Sequence, residues 1–323
     1  MIVLTTKSSF NNSSNYKSSF ERTQDFSIIS DRAPNGKKPA LILALYLCYT
    51  YNMYLVIDIG GTKTLIAMFS KRGRILRKFK FKTPEKKSEF LAVLKSALVP
   101  FSLKYSPKTE HIVIAVPGQI KDNIAIKFGN RPWKNLDFAK ELTHLFNCKI
   151  TLKNDADLAT VYESSFHKGL TLYLTFSTGI GGGLARKGVL AKNSANVEPG
   201  HIYYVYNQKS SEWEDIASCA AIGAYYNCQA TSVRGQKAYS DIAHRVSLGL
   251  PEIIQRYRPD CIVIGGPLAL LFPRFIKELR LLVRAKLPRS RNLPRLVPAH
   301  RPKEAVIYGG YYLAKKASQR GQW

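Results

Sequence analysis

A chain of 323 residues is long enough for two lobes and a substantial core. Lys and Arg number 49 against 22 acids, a formal charge of +27, which favours polyanionic partners (nucleic acid, anionic lipid or a phosphate-rich substrate) and says nothing of fold. Five cysteines, at 48, 148, 219, 228 and 261, form no CxxC pair; the odd count and irregular spacing argue against a disulfide framework and fit free thiols in a reducing compartment.

Residues 1–38 are rich in Ser, Asn and Lys, show little periodicity and read as disordered. Pro39 to Ile57 carries no charge and imitates a membrane span. Its second half is wanted as a strand, and it holds Asn52 and several Tyr, so no membrane segment is expected. The run starts too far from the N-terminus for a cleaved signal peptide.

The stretch Tyr54–Phe69, YLVIDIGGTKTLIAMF, reads as strand, tight turn, strand. Gly60 and Gly61 allow a turn that a residue with a Cβ makes only at a cost. Gly60, Gly61, Thr62 and Lys63 offer backbone N–H groups, a hydroxyl and an ammonium together, which suits phosphate oxygens. Asp58 stands at the mouth of the strand, where a carboxylate can hold a hydrated Mg²⁺ near that phosphate. Read alone, the same residues also make a plain hairpin with a surface lysine.

Arg74 to Lys82 alternates Ile75, Phe79 and Phe81 with Lys78, Lys80 and Lys82, a half-exposed third strand with a basic outer face. Pro84 to Val99 has helical spacing at Phe90, Leu91, Leu94 and Leu98. His111–Val116 reads as a buried strand followed by a Pro117-Gly118 turn. Gly129 to Trp133 reads as a loop, and Leu136–Phe146 is amphipathic. Lys149–Leu152 is a short strand that delivers Asn154-Asp155-Ala156-Asp157 to a helix over Leu158–Phe166. This alternation gives an α/β lobe. Leu170–Phe176 is the next strand, then a second glycine-rich turn, Ser177 to Gly183, and a strand to Arg186. Asp241–Tyr257 is helical, and Asp260–Ile264 is a strand ending in Gly265-Gly266. Pro267–Lys286 reads as a helix with Arg274, Lys277, Arg280 and Arg284 along one face. Glu304–Lys316 closes the chain as a helix in which Gly309 and Gly310 permit close packing. No repeat at fixed period is visible, although the two glycine turns hint at two related lobes.

Three sets of residues carry candidate chemistry. A strand-end Asp entering a helix, as Asp155 does, is held rigidly enough to take a proton from an acceptor hydroxyl; Asn154-Asp155 also reads as an ordinary helix cap. Asp157 is assigned to the first turn of the helix. Glu198 and His201, three apart across a Gly turn, point into one cleft as acceptor and donor for hydroxyl groups. Thr178, Gly179, Gly181, Gly182, Gly265 and Gly266 place glycine-rich backbone at strand ends, where nucleotide phosphates or adenosine approach closely. Glycines serving topology alone explain Gly265-Gly266 equally well.

DIGGTK resembles the phosphate loop of the ROK family of sugar kinases, within the actin–hexokinase–Hsp70 fold group. KNDADLATVYES looks like the family's ENDA segment. STGIGGG is similar to its GTGIGGG, with Ser177 for the first Gly, and Glu198-Pro199-Gly200-His201 matches its E-x-G-H motif. Glu214 to Ser218 resembles the later segment that supplies a second glutamate, and a VPG segment and IGGP complete the order. The likeness covers about residues 53–318.

The resemblance implies a two-lobed actin-like (ribonuclease H-like) α/β fold with an interlobe cleft. Residues 53–156 form the N-terminal lobe, completed by a C-terminal helix at 302–323, and 157–301 form the second. It implies phosphorylation of a hexose hydroxyl by ATP with Mg²⁺. Asp155 is the general base; Asn154, Glu198, His201 and Glu214 hold the sugar; Asp58, Gly60–Lys63, Thr178–Gly182 and Gly265-Gly266 serve the donor. Asp58 and Asp155 are expected to face each other across a hinge.

Met53 begins MYLVIDIGGTKT, as the family's chains usually start, so residues 1–52 also read as a mis-called upstream extension. Many members follow the Gly-His with CxCGxxGC, which binds a structural zinc. Here Tyr203–Trp213 takes its place, and Cys219 and Cys228 are isolated, so no zinc is expected and aromatic contacts from Tyr203, Tyr204 and Trp213 hold the loop. Some members without the zinc motif use inorganic polyphosphate, which gives the basic faces at Lys71–Lys82, Arg274–Arg284 and 286–301 a use beyond solvation. Repressor members carry a helix-turn-helix that residues 1–52 do not show, so no specific nucleic-acid partner is expected. A cytoplasmic kinase, often dimeric in the family, is the expectation; a sugar-sensing protein without turnover is the alternative.

Overall fold

An apolar run with no alternation has to be covered on both faces, and Met53–Ile59 forms such a strand, β1, at the centre of a five-stranded sheet. The computed structural model describes residues 52–129, 131–192, 194 and 197–319. The readings of residues 1–51 as disordered, as an upstream extension or as part of an apolar span lie outside the described residues.

From β1 the chain turns back antiparallel into β2 (Lys63–Ser70) and again into β3 (Ile75–Lys82). The face of β3 is more open than its alternation implies, for Phe79 is exposed. Helix α1 (Lys87–Tyr105) leads to β4 (Thr109–Val116), parallel to β1. Then β5 (Gln119–Lys121), β6 (Ile124–Phe128) and β7 (Arg131–Leu136) form a small antiparallel sheet of their own. The expected loop at 129–133 is thus partly strand. Pro132 disguised it; β7 pairs only with β6, and an edge strand tolerates proline. Helix α2 (Phe138–Leu142) precedes β8 (Lys149–Asn154), parallel to β4, which gives the order β3-β2-β1-β4-β8.

Helix α3 (Asp155–Ser164) crosses to the second sheet. Strands β9 (Leu170–Phe176), β10 (Ile180–Arg186) and β11 (Val189–Leu190) form a meander. A hairpin of β12 (Tyr203–Tyr206) and β13 (Lys209–Glu212) runs into α4 (Trp213–Ala217) and α5 (Cys219–Tyr225). Helix α6 (Gln236–Tyr257), β14 (Cys261–Gly265), α7 (Phe272–Lys286), β15 (Arg295–Pro298) and α8 (Ala305–Gln319) complete the chain. The second sheet reads β11-β10-β9-β14-β15, with β14 and β15 parallel to β9. Both sheets therefore share one plan: an antiparallel meander whose first strand is extended by two parallel strands.

One face of the first sheet packs Leu55, Ile57 and Met68 against Phe90, Leu94 and Phe101 of α1. Its other face packs Val56, Ala67 and Phe69 against Ile307, Tyr311 and Ala314 of α8 and Leu158 of α3. Helix α3 in turn touches β9, β10 and α8, so α3 and α8 fill the space between the sheets. Close packing of α8 on α3 explains Gly309, and on β1 explains Gly310. A Cβ at Gly309 would collide with the Leu158 carbonyl, and one at Gly310 would lie 2.5 Å from Val56 Cγ1. The second core joins Leu172, Leu174 and Leu184 to Trp213, Val246, Leu250, Phe275 and Leu279.

The second glycine turn is shorter than its sequence suggests. Only Ser177–Gly179 turn; Gly181–Gly183 lie inside β10. At two of them neighbours press on the strand: a Cβ at Gly183 would strike Thr160 of α3, and one at Gly182 would lie 2.9 Å from Val197 Cγ1. Among the described residues, no helix is long and apolar enough to cross a membrane.

Candidate active site

Strands β1, β4 and β8 are parallel, so their carboxyl ends meet at one edge, where α/β sheets gather ligands. Asp58 pairs in register with Ala115, and Ala115 with Lys153. Asp58 and the Asn154-Asp155 pair are therefore two strand spacings apart, about 10 Å between backbones. The expectation that these carboxylates oppose each other across a hinge is corrected here: both rise from the same edge of one sheet.

Asp58 is half-buried. Loss of water pushes its carboxyl up to about 7, with Asp155 adding to the shift and Lys80 opposing it. Asp155, the first residue of α3, is also raised, first by burial and then by Asp157, against the pull of the Ala156 N–H at 2.8 Å. Two partly dehydrated carboxylates at one sheet edge, one raised further by the charge of the other, are oxygen donors of the kind a divalent cation takes. Asn154 caps α3: its Oδ1 accepts from the N–H groups of Ala156 at 2.9 Å and Asp157 at 3.2 Å, while Nδ2 reaches the Gly118 carbonyl at 3.4 Å. Asp157 turns away from the edge and accepts from the Ser194 hydroxyl at 2.8 Å.

The Gly60–Lys63 turn closes by a Gly60 N–H to Lys63 carbonyl bond of 3.0 Å, and a Cβ at Gly60 would crowd that carbonyl. Its outward carbonyls are tied to the rest of the lobe. Thr83 donates its hydroxyl to Gly60 at 2.9 Å and its N–H to Thr62 at 3.0 Å. The Arg131 guanidinium donates to the carbonyls of Gly61, Thr83 and Pro84 and stands 5.1 Å over the Trp133 ring. Gly61, Thr62 and Lys63 stay exposed. Sequence reasoning missed Arg131 and Thr83. The only available signal was an Arg-Pro-Trp segment in a stretch read as loop.

On the other side of the cleft, α4 presents Glu214 from its first turn. Glu214 Oε2 accepts the Ile180 N–H at 3.2 Å. The carboxylate lies so close to Gly179 and Gly200 that a Cβ at either would meet it. Gly179 and Gly200 thus make room for Glu214. His201 Nδ1 bonds Glu212 Oε2 at 2.9 Å and stands 4.0 Å from Glu214 Oε1. The Glu212 bond raises the imidazole, helped by the charges of Glu214 and Glu198 and opposed by burial. Glu198 is raised by burial, with Asp155, Glu214 and Asp157 adding to it and His201 opposing. Glu198 thus feels the charges of His201, Asp155 and Glu214 together. Glu212 escaped the sequence reading because nothing sets it apart from other acids beside Trp213. One donor atom each from His201, Glu212 and Glu214 lies within 4.8 Å of the others, a set able to hold a metal ion.

The loop after His201 is held by aromatic contacts. Trp213 is fully buried, 5.5 Å edge-on to Phe176 and 6.3 Å from Tyr204, with its indole N–H on the Arg245 carbonyl at 3.1 Å. Tyr203, expected to share the task, is exposed. Thr178 is exposed at the tip of its turn. Gly265 and Gly266 are buried: a Cβ would strike the Tyr173 ring at the first and the Phe176 carbonyl at the second, where φ is +68°.

The ROK family profile matches residues 54–317. The chain belongs to the ROK family. A ROK glucokinase from Streptomyces griseus, solved with glucose and AMPPNP, superposes with a TM-score of 0.67 at 21% identity, over 82% of this chain and 99% of that one. The fold is thus the two-lobed actin-like fold of ROK proteins. A fructokinase from Lactococcus lactis subsp. cremoris is 24% identical over 300 residues, 81% of this chain and 96% of its own length. A putative xylose repressor from Caldicellulosiruptor sp. is 21% identical over 302 residues, 77% of this chain and 73% of its own. ROK sequences like this one thus include kinases and a repressor.

Proposed function

We propose that this ROK protein is a carbohydrate kinase that transfers the terminal phosphoryl group of ATP to a hexose hydroxyl. The observation that carries the reading is the pairing of Asp58 with Asp155 at one sheet edge, both raised in the free protein, beside the Glu198–His201–Glu214 cluster. A pure sensor has no need of two mutually repelling carboxylates where the reacting groups meet. Asp155 is the general base: the acceptor oxygen attacks the γ-phosphorus, its proton passes to the Asp155 carboxylate, and ADP departs. Once ionised, the raised Asp155 carboxyl holds a proton more tightly than an ordinary aspartate does. Asn154, Glu198, His201 and Glu214 orient the sugar, with Glu212 fixing the His201 ring. Gly60, Gly61, Thr62 and Lys63 bind the donor phosphates, and Thr178, Gly179, Gly181, Gly182, Gly265 and Gly266 shape the nucleotide side of the cleft. Asp58 would hold Mg²⁺, which neutralises charge on the transferring group when bound.

Similarity to both a fructokinase and a glucokinase leaves the hexose to experiment. A coupled assay with a hexose panel and Mg·ATP is expected to show transfer that drops by roughly 10²–10⁴ in an Asp155→Asn variant with sugar binding kept. Replacing ATP by polyphosphate in the same assay tests whether the +27 charge serves a polyanionic donor. Hexose binding without transfer to any sugar from either donor would overturn the kinase reading in favour of a sensor like the repressor relative.

A further inference from the structure

The far end of α3, about 12 Å along the helix from Asp155, carries a second group of donor atoms. Glu163 is completely buried, and an ionised carboxylate there needs partners. Its oxygens accept two backbone N–H groups, from His300 at 2.9 Å and Arg301 at 3.2 Å. Among the described residues no guanidinium pairs with it. The Arg301 side chain points elsewhere, to the Tyr162 hydroxyl at 3.1 Å, Glu304 at 3.3 Å and the face of Tyr308. His300 Nδ1 lies 3.5 Å from Glu163 Oε2, and its ring is stacked 4.2 Å from Phe166. His167 is 8% exposed, yet among the described residues its Nε2 has no hydrogen-bond partner. One nitrogen from each imidazole and one Glu163 oxygen lie within 4.8 Å of one another.

We propose that Glu163, His167 and His300 form a binding site for a divalent transition-metal ion of the zinc type, separate from the phosphoryl-transfer cleft. Donors at about 2.1 Å around a tetrahedral ion are about 3.4 Å apart, so the Glu163–His300 pair at 3.5 Å already has the spacing, and the His167 nitrogen lies within 4.8 Å of both. Two imidazoles and one carboxylate suit Zn²⁺, Co²⁺ or Ni²⁺ and not Mg²⁺, which prefers oxygen alone. The backbone bonds to Glu163 act as the outer hydrogen bonds that orient a ligating carboxylate. His300 is half-exposed, which leaves a side open for water as a further ligand. The ion would join the end of α3 to the 299–301 segment leading into α8, and so pin the helix pair that separates the sheets. Its effect is expected on stability.

The test uses the full chain with its exposed thiols alkylated and metals removed by EDTA. Zn²⁺ is titrated by calorimetry and Co²⁺ by visible absorption. One equivalent of tight binding, a rise in melting temperature with Zn²⁺ and a tetrahedral Co²⁺ spectrum are expected. His300→Ala and His167→Gln should each weaken binding roughly tenfold or more. His201→Gln, at the other donor cluster, should leave it unchanged. Because His300 is exposed, its variant folds and carries the test even if the buried His167 variant does not. Absence of stoichiometric binding, binding that survives His300→Ala, or binding lost instead with His201→Gln overturns the proposal.

Discussion

Replacing Asp58 by Asn removes one of the two adjacent carboxylates and keeps its shape. Folding moves the Asp58 carboxyl from 3.8 to about 7, chiefly through burial and then through Asp155. A folded value above the unfolded one means that ionisation opposes folding. The cost begins as pH rises past the unfolded value and is complete above the folded one. At 1.36 kcal/mol per unit, the shift costs about 4 kcal/mol at pH 8 and about 1.5 kcal/mol at pH 5. The Asp58→Asn variant escapes this cost, so it should be more stable than wild type at both values and by more at pH 8. At about 2 °C per kcal/mol, the gap in melting temperature is about 8 °C at pH 8 and about 3 °C at pH 5. Thermal melts of both proteins in EDTA at the two pH values measure it. Phosphoryl transfer should be lost in the same variant, a gain in stability set against a loss of function. A gap that does not change with pH, or a variant less stable than wild type at pH 8, refutes the electrostatic account of this edge.

Arg131→Ala removes the donor that ties the Gly61 carbonyl of the phosphate turn to the carbonyls of Thr83 and Pro84. The KM for nucleotide should rise with an apparent loss of about 1–3 kcal/mol, the KM for sugar should move little, and amide exchange at 60–62 should quicken. Gly179→Ala places a methyl against the Glu214 carboxylate, which can yield, so sugar affinity should fall with little change in melting temperature. Gly200→Ala meets the Ile180 carbonyl at 2.5 Å as well, and backbone cannot yield as readily; it should cost stability too. Gly309→Ala drives a Cβ into the Leu158 carbonyl, parts α3 from α8, and should lower the melting temperature sharply or leave the protein insoluble.

Strands were legible where burial alone dictates composition. Leu170–Phe176 reads as a strand end to end because both its neighbours and both its faces are protein. The hairpin β12–β13 was not legible: Tyr203 and Val205 are exposed, so apolar residues there do not mark an inside. The glycines were the harder lesson. Resemblance picks out Gly179–Gly183, Gly265 and Gly266 as one class, but space treats them differently. A Cβ at Gly183 would meet Thr160, at Gly265 the Tyr173 ring and at Gly179 the Glu214 carboxylate, whereas at Gly181 it would make only ordinary contacts with Thr175 and Ala156. A glycine needed to bring a helix onto a strand is indistinguishable in sequence from one needed to admit a ligand, because both report only that a Cβ is excluded.

The site was legible as a set of residues and illegible as a geometry, for a related reason. Asp58 and Asp155 are far apart in the chain, and nothing in either segment states the order β1-β4-β8 that makes them neighbours on one edge. That order has a consequence for how the cleft works. With the phosphate turn and Asp58 on the first sheet and Asp155 one residue beyond the end of β8, lobe movement should change the spacing of the proposed base and the proposed metal-binding carboxylate little. Movement changes instead the distance from Asp155 to Glu214 and His201, which the second lobe carries. Closure should therefore act on the position of the sugar, so hexose alone should shift the lobes while nucleotide alone leaves them open. Small-angle scattering with each ligand separates the cases, and a contraction driven by nucleotide alone would contradict this division of labour.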